Sequence, residues 1–115
     1  MSKLENIDQV RARNALSEPA QQARKKGDEG DALSGYPSLI INNGLIATLA
    51  FSLDRKGQHQ RIANAVAHHL EDRKIAQAKD AKALRDELCQ GDSAKLRRAT
   101  GESLAFLAYL KRFQR

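Results

Sequence analysis

Basic side chains are the groups in this sequence that best fit a definite chemistry. Guanidinium and ammonium groups bind the phosphates of a nucleic acid, and each neutralised phosphate releases counterions, so binding depends on salt rather than on base sequence. The last helical segment has a face that is basic at both ends and has small residues between them, at 101, 105 and 108. A basic run precedes the first glycine-rich stretch. The candidate phosphate-contacting residues are Arg24, Lys25, Lys26, Arg97, Arg98 and Arg112.

The same cations also have a structural interpretation. Lys and Arg side chains near the C-terminal end of a helix complement the helix dipole and need no ligand. This interpretation is the stronger one for the run from Arg24 to Lys26. For Arg97 and Arg98 both interpretations stay open.

Other reactive residue types are too poorly arranged for catalysis or metal binding. His68 and His69 are neighbours, so they point about 100° apart on a helix and cannot chelate one ion as an i, i+4 pair does. Cys89 is the only cysteine, and Asp86 and Glu87 are sequence neighbours that do not converge on a substrate. We expect solvated histidines, a thiol in or near the core, and no metal, cofactor or enzymatic activity.

Residues 39–53 have the helix, glycine turn, helix outline of some DNA-binding units. The second of these helices lacks the Arg, Asn or Gln side chains that bond base edges, so sequence-specific DNA binding is not expected. Asn42 and Asn43 fit a helix end better than a phosphate site. Three aromatic side chains could stack on bases, but they fit core or interface positions better: Tyr36, Tyr109 and Phe113.

The composition predicts a helical protein. A chain of 115 residues is about one domain, and the strong helix formers Ala, Leu, Lys, Arg and Gln dominate it. No Val/Ile/Thr-rich alternating segment predicts a strand. The longest apolar stretch, residues 39–53, is shorter than the roughly 18 residues of a membrane span and is interrupted. No secretory signal is apparent, so we expect a cytoplasmic protein that does not bind membranes.

The net charge of +6 is unevenly distributed. Residues 1–26 carry six basic and three acidic side chains, and residues 93–115 carry six and one. The middle, residues 27–92, carries eight and ten. Basic ends favour a polyanion such as nucleic acid, or an acidic protein partner.

The hydrophobic pattern predicts one all-α domain over residues 1–115. We expect a compact bundle of about five to six helices with long N- and C-terminal helices. The first helix should run over 2–26 with a kink or break at Pro19, followed by a loop around 27–35. Pro37 should open the second helix, which ends at Asn43 and Gly44 after a buried turn formed by residues 39–41. Further helices are expected over 45–53, 61–77, 80–91 and 92–113.

The two terminal helices differ in their apolar faces. The first has a thin stripe that Arg11 and Asn14 interrupt, which is typical of a helix that meets a partner or solvent. The last has a continuous core stripe at 3- and 4-residue steps. That stripe consists of Leu96, Ala99, Ser103, Phe106, Leu107, Leu110 and Phe113.

Two segments resemble a known family. One is PSLIINNGLIATLAF, residues 37–51, and the other is LRRATGESLAFLAYLKRF, residues 96–113. In this order they resemble the small helical subunit of type III-B CRISPR effectors, the fifth subunit of the Cmr complex. The chain departs from the family at Gly101-Glu102-Ser103, where an acidic-alanine pair is usual, and near Tyr109, where an aromatic residue, often Trp, is usual.

The resemblance implies a non-catalytic structural subunit. Several copies would stack inside a filament and line the path of guide RNA and target RNA in antiviral defence, while neighbouring backbone subunits cleave the target. The implied partners are the other Cmr subunits, including the filament backbone subunit, both RNAs and further copies of the chain. The alternative is a protein–protein adaptor without nucleic-acid contact. A nonspecific DNA-binding protein is the weakest hypothesis.

Overall fold

Seven α-helices make up the part of the chain that the computed structural model describes, residues 5–27 and 30–114. That part contains no β-strand, so the predicted all-α class is confirmed with one or two more helices than expected. That a single domain spans 1–115 stays a prediction. The helices are α1 (Ile7–Ala15), α2 (Glu18–Arg24), α3 (Ala32–Asn43), α4 (Leu45–Arg55), α5 (Gly57–Asp72), α6 (Ala81–Gln90) and α7 (Ser93–Phe113).

The predicted long N-terminal helix is two short helices. Asn6 starts α1 with a capping box in which its side chain accepts from the Gln9 amide, 2.8 Å away. The chain breaks after Ala15, and Pro19 lies in the first turn of α2, where a missing N–H is harmless. The expected break is thus confirmed and the single long helix is wrong. Residues 2–4 of the predicted helix lie outside the described residues.

Helix α3 begins earlier than the position of Pro37 suggested. The Asp31 side chain accepts from the Leu33 amide (3.2 Å) and caps the helix, so Gly35 and Pro37 lie inside it. A strong cap therefore outweighed the preference of proline for a first turn. The other end is as predicted, because α3 stops at Asn43 and Gly44 takes φ +89°.

The predicted loop over residues 54–60 is a single-residue connection. Helix α4 continues to Arg55 and α5 already begins at Gly57. Lys56 between them has φ +63° and ψ −164°, a backbone region that is almost restricted to glycine.

Replacing Lys56 with Gly should therefore stabilise the protein. Relief of the backbone strain should raise the free energy of unfolding by about 1 kcal/mol, measured by urea denaturation. Lys56→Ala is the matched control, because it removes the charge and keeps the Cβ atom that causes the strain. Equal stability of the two variants would contradict this explanation.

Helix α5 ends at Asp72, five residues before the predicted end. The chain reverses at Lys74, which has φ +60°, and Glu87 then holds the following segment. Its carboxylate accepts from the amides of Gln77 (3.0 Å) and Ala78 (2.8 Å). The last two helices have the predicted bounds, capped by Asp80 and Asp92.

Helix α5 lies at the centre of the bundle and packs against α2, α3, α4, α6 and α7. The predicted core stripe of α7 is confirmed, with Leu96 and Phe113 half-buried at its ends. Two burial predictions are wrong. Ile41 is 71% exposed because Ile40 takes the inward position, and Cys89 is exposed because Leu84 and Leu88 face the core.

Candidate functional site

Four of the six predicted cations lie around one open groove of about 900 Å³ between the C-terminal ends of α2 and α7. Among the lining residues that the structure describes, none is acidic. We refer to this surface as the basic groove. Its lining residues are Leu16, Gln21, Arg24, Lys25, Lys26, Arg112, Phe113 and Gln114.

Gln114 and Asp31 join the two ends that form the basic groove. The Gln114 side-chain amide donates to the Arg24 carbonyl (3.0 Å) and to Asp31 Oδ1 (2.8 Å). Asp31 Oδ2 also accepts from Lys111 Nζ (3.1 Å). Burial raises the pKa of Asp31, but hydrogen bonds from Gln114, Ser34, Lys111 and Gln58 outweigh it and hold that pKa well below its usual range. The link therefore carries a carboxylate at any working pH.

Helix α5 holds the C-terminal end of α2, which borders the groove. Buried Gln58 accepts from the Ala32 amide (2.8 Å) and donates to the Ala23 carbonyl (3.0 Å). Arg61 donates to the carbonyls of Gln22 (2.9 Å) and Lys25 (3.2 Å). These bonds satisfy the C-terminal carbonyls of α2, so its end does not depend on the lysine ammonium groups.

The cations of the groove differ in their roles. Arg24 is half-buried and its guanidinium donates to the Ala15 carbonyl at 2.6 Å, which supports the structural interpretation for this residue. Lys25, Lys26 and Arg112 are exposed. Their charged groups therefore give the groove its capacity to take an anionic chain.

Arg97 and Arg98 are exposed on α7 and lie apart from the groove. Arg97 precedes Arg112 by fifteen helical residues, a separation of about 22 Å at 1.5 Å per residue. Arg98 lines a smaller pocket of about 420 Å³ that also contains Glu87 and Asp92. These acids reduce the local positive charge. The structure thus divides the predicted site into the basic groove and a second, weaker basic surface.

The small-residue face of α7 is accessible, as predicted. Gly101 and Ala108 are exposed and Ala105 is half-buried between Arg97 and Arg112. A Cβ atom built on Gly101 would meet no atom within 4 Å, so this face is open to an approaching surface.

A buried polar cluster joins α1, α5 and α7, and the sequence interpretation missed it. Glu102 receives two hydrogen bonds from Arg11, Nε to Oε2 (2.8 Å) and Nη2 to Oε1 (2.9 Å). His69 Nε2 lies 2.9 Å from Glu102 Oε2, and its Nδ1 lies 2.9 Å from Asn14 Nδ2. Asn14 also donates to Asp72 Oδ2 at 3.0 Å. We call these five residues the polar cluster.

The prediction of a solvated His69 is wrong, because the side chain is 0% exposed. Its ring stacks on Phe106 with centroids 4.3 Å apart and planes 6° apart. Burial lowers the pKa of His69, and the interaction with Glu102 offsets this only in part. Burial raises the pKa of Glu102, but the hydrogen bonds from Arg11 and His69 bring it down to about 2.

The polar cluster is structural in its chemistry. Both Glu102 oxygens have partners within the protein, so neither serves as a free base. Across residues 5–27 and 30–114, no group of three His, Cys, Asp or Glu side chains could hold a metal ion. Among the described helices, none is long and apolar enough to cross a membrane.

The fold and its surface define a small all-helical domain whose most distinctive accessible feature is a basic groove. Comparison with known proteins identifies the family of this domain. A family model described as CRISPR-associated protein (Cas_Cmr5) matches residues 7–115. The chain therefore belongs to this family, and it is a Cmr5 subunit of type III-B CRISPR complexes. No curated protein and no solved structure matches it.

The family assignment confirms the resemblance of residues 37–51 and 96–113. It also implies association with other subunits of the Cmr complex.

Proposed function

We propose that this subunit lines the path of guide RNA and target RNA in the Cmr complex and supports target capture without catalysis. The observation that carries this proposal is the basic groove, where Lys25, Lys26 and Arg112 are exposed and the described lining residues include no acidic side chain. It acts in the cytoplasm, and several copies stack along the filament backbone subunit.

The groove suits a phosphate backbone rather than a base sequence. Ammonium and guanidinium groups neutralise phosphates whatever the bases are. Gln114, which could otherwise bond a base, already donates to Arg24 and Asp31. Binding that does not depend on the base sequence agrees with an RNA-guided system, in which base pairing with the guide supplies specificity.

Arg97 and Arg98 form a second candidate contact. Because the small-residue face lies beside them, a neighbouring copy or the backbone subunit can come close to this part of α7. Two large apolar side chains also favour protein contacts, since Ile41 is 71% and Leu16 is 53% exposed. These observations support the second candidate function, an adaptor that touches only protein.

Target-RNA binding by the reconstituted guide-loaded complex, with and without this subunit, separates the two functions. We expect the subunit to tighten binding severalfold at about 0.1 M salt and to steepen the dependence of log affinity on log salt, because it adds phosphate contacts. The adaptor function instead predicts that the subunit copurifies with the complex while affinity and salt slope stay unchanged.

A further inference from the structure

Helix α1 is attached to the bundle mainly through polar groups. Arg11 binds Glu102, and Asn14 reaches His69 and Asp72. Only Asn14 and Ala15 of this helix are buried. A helix with so few buried apolar groups is held by its hydrogen bonds, so its attachment depends on their protonation states.

The contact between Asn14 and His69 specifies a neutral imidazole. The two hydrogens of the Asn14 amide group go to Asp72 Oδ2 (3.0 Å) and to His69 Nδ1 (2.9 Å). His69 Nδ1 must then accept, so the ring proton is on Nε2 and is donated to Glu102. Rotating the Asn14 amide would turn its oxygen toward the Asp72 carboxylate, which excludes the opposite arrangement.

Charged groups face His69 from each element packed around it. Arg11 satisfies the nearby Glu102 carboxylate with two hydrogen bonds, and Arg73 Nε lies 3.9 Å from the same carboxylate. Little uncompensated negative charge is therefore left to stabilise an imidazolium. The acidic groups that act on His69 are Glu102 of α7, which pairs with Arg11, and Asp72 of α5. Asp72 in turn pairs with Arg13 of α1, and Arg73 after α5 acts on His69 as a cation.

We propose that the contact between Asn14 of α1 and His69 of α5 is a proton-sensitive latch. The latch is closed while His69 is neutral, because Nδ1 then accepts a hydrogen bond from Asn14. It opens when Nδ1 is protonated and can no longer accept that bond. Opening detaches α1 from α5 and α7 and leaves the other helices folded. It also removes the Ala15 carbonyl from Arg24, which lies in the basic groove.

Proton linkage gives the direction and the size of the change in the open population with pH. In the closed state burial keeps the pKa of His69 below its ordinary value of 6.5, so protonation favours the open state as pH falls through 6.5. Opening frees His69 from this burial and frees Glu102 from Arg11. At pH 5.5 an open-state His69 with an ordinary pKa is about 90% protonated, so the open population rises severalfold, with an upper limit of about tenfold. Above pH 7 the latch does not respond to pH.

Hydrogen exchange of the full-length chain, resolved by peptide mass spectrometry, tests the latch. We expect the protection of α1 amides, corrected for the intrinsic rate at each pH, to fall severalfold from pH 7.5 to 5.5, with an upper limit of about tenfold. Protection of α6 should stay unchanged over the same range. His69→Gln should remove the pH step, and His68→Gln, at an exposed position on the same helix, should keep it.

A second measurement keeps the proposal testable if His69→Gln does not fold. The imidazole ¹⁵N shifts of the wild-type protein follow His69 protonation directly. Their midpoint in the closed protein should lie below pH 6.5, and the loss of α1 protection should begin near pH 6.5 and level off at that midpoint. The proposal is wrong if α1 protection is independent of pH, if α6 loses protection in parallel, or if the His69 midpoint lies at pH 6.5 or above.

Discussion

Replacing Glu102 with Gln should lower the free energy of unfolding by about 3 kcal/mol at pH 7. Glu102 is buried and is the common partner of Arg11 and His69. Gln keeps the shape but removes the charge, so the half-buried Arg11 guanidinium loses its carboxylate. Removing one partner of a buried ion pair is strongly destabilising, because the other charge stays uncompensated. Urea denaturation of the two proteins measures the difference.

The pH dependence distinguishes lost charge from lost packing. Because the folded protein holds the pKa of Glu102 at about 2, below the ordinary value of 4.5, the stabilisation by Glu102 is present above pH 4.5 and disappears as pH falls toward 2. The deficit of Glu102→Gln should therefore shrink over this interval. Glu18→Gln is the matched control at an exposed position, with an expected change within about 0.5 kcal/mol. A deficit that stays constant down to pH 2 would refute the electrostatic account.

Periodicity and caps predicted most helix ends because both are local. The Asp80 and Asp92 caps, the Gly44 end and the α7 stripe follow from side chains within a few residues of each helix end. Two wrong boundaries, the starts of α1 and α3, follow from the local caps Asn6 and Asp31, which the sequence interpretation overlooked.

The wrong end of α5 depends on a distant partner. Helix α5 stops at Asp72, and the amides of the segment that follows bond to Glu87 of α6. No residue close to Asp72 in the sequence signals this helix end.

The polar cluster was predictable only in part. Arg11 and Asn14 stood out as polar residues on an apolar stripe, and His69 shared a face with Ile62 and Val66. These signals indicate buried polar groups, which need partners inside the protein. Their partner Glu102 lies 91 positions from Arg11, and only the packing of α1 on α7 brings the two together.

The basic groove, like the polar cluster, was predictable from the sequence only in part. The sequence identified all four of its cations, but it could not place Arg112 next to Lys25 and Lys26, 86 positions or more away in the chain. Nor could it separate Arg24, which caps the end of α1, from the exposed cations beside it.

Because Arg24 has a structural role, the most informative RNA-binding variant replaces only the exposed cations of the groove. We expect Lys25→Gln/Lys26→Gln/Arg112→Gln in the reconstituted complex to weaken target-RNA binding roughly tenfold to a hundredfold at about 0.1 M salt. The slope of log affinity against log salt should fall by about 2, since three phosphate contacts at about 0.7 each are lost. Arg24 is left in place, because its removal would also disturb the end of α1.

A charge-matched control makes the result specific to the groove. Lys56→Gln/Lys79→Gln/Lys82→Gln removes three exposed cations elsewhere, so it changes the net charge equally without touching the groove. If both triple variants lose affinity alike, the effect is the long-range field of a basic subunit. If neither does, the groove does not contact RNA, and its cations are free to meet acidic protein surfaces. Only loss confined to the groove variant, with the lower salt slope, supports direct contact with the phosphate backbone, and copies repeated along a filament would multiply that contact.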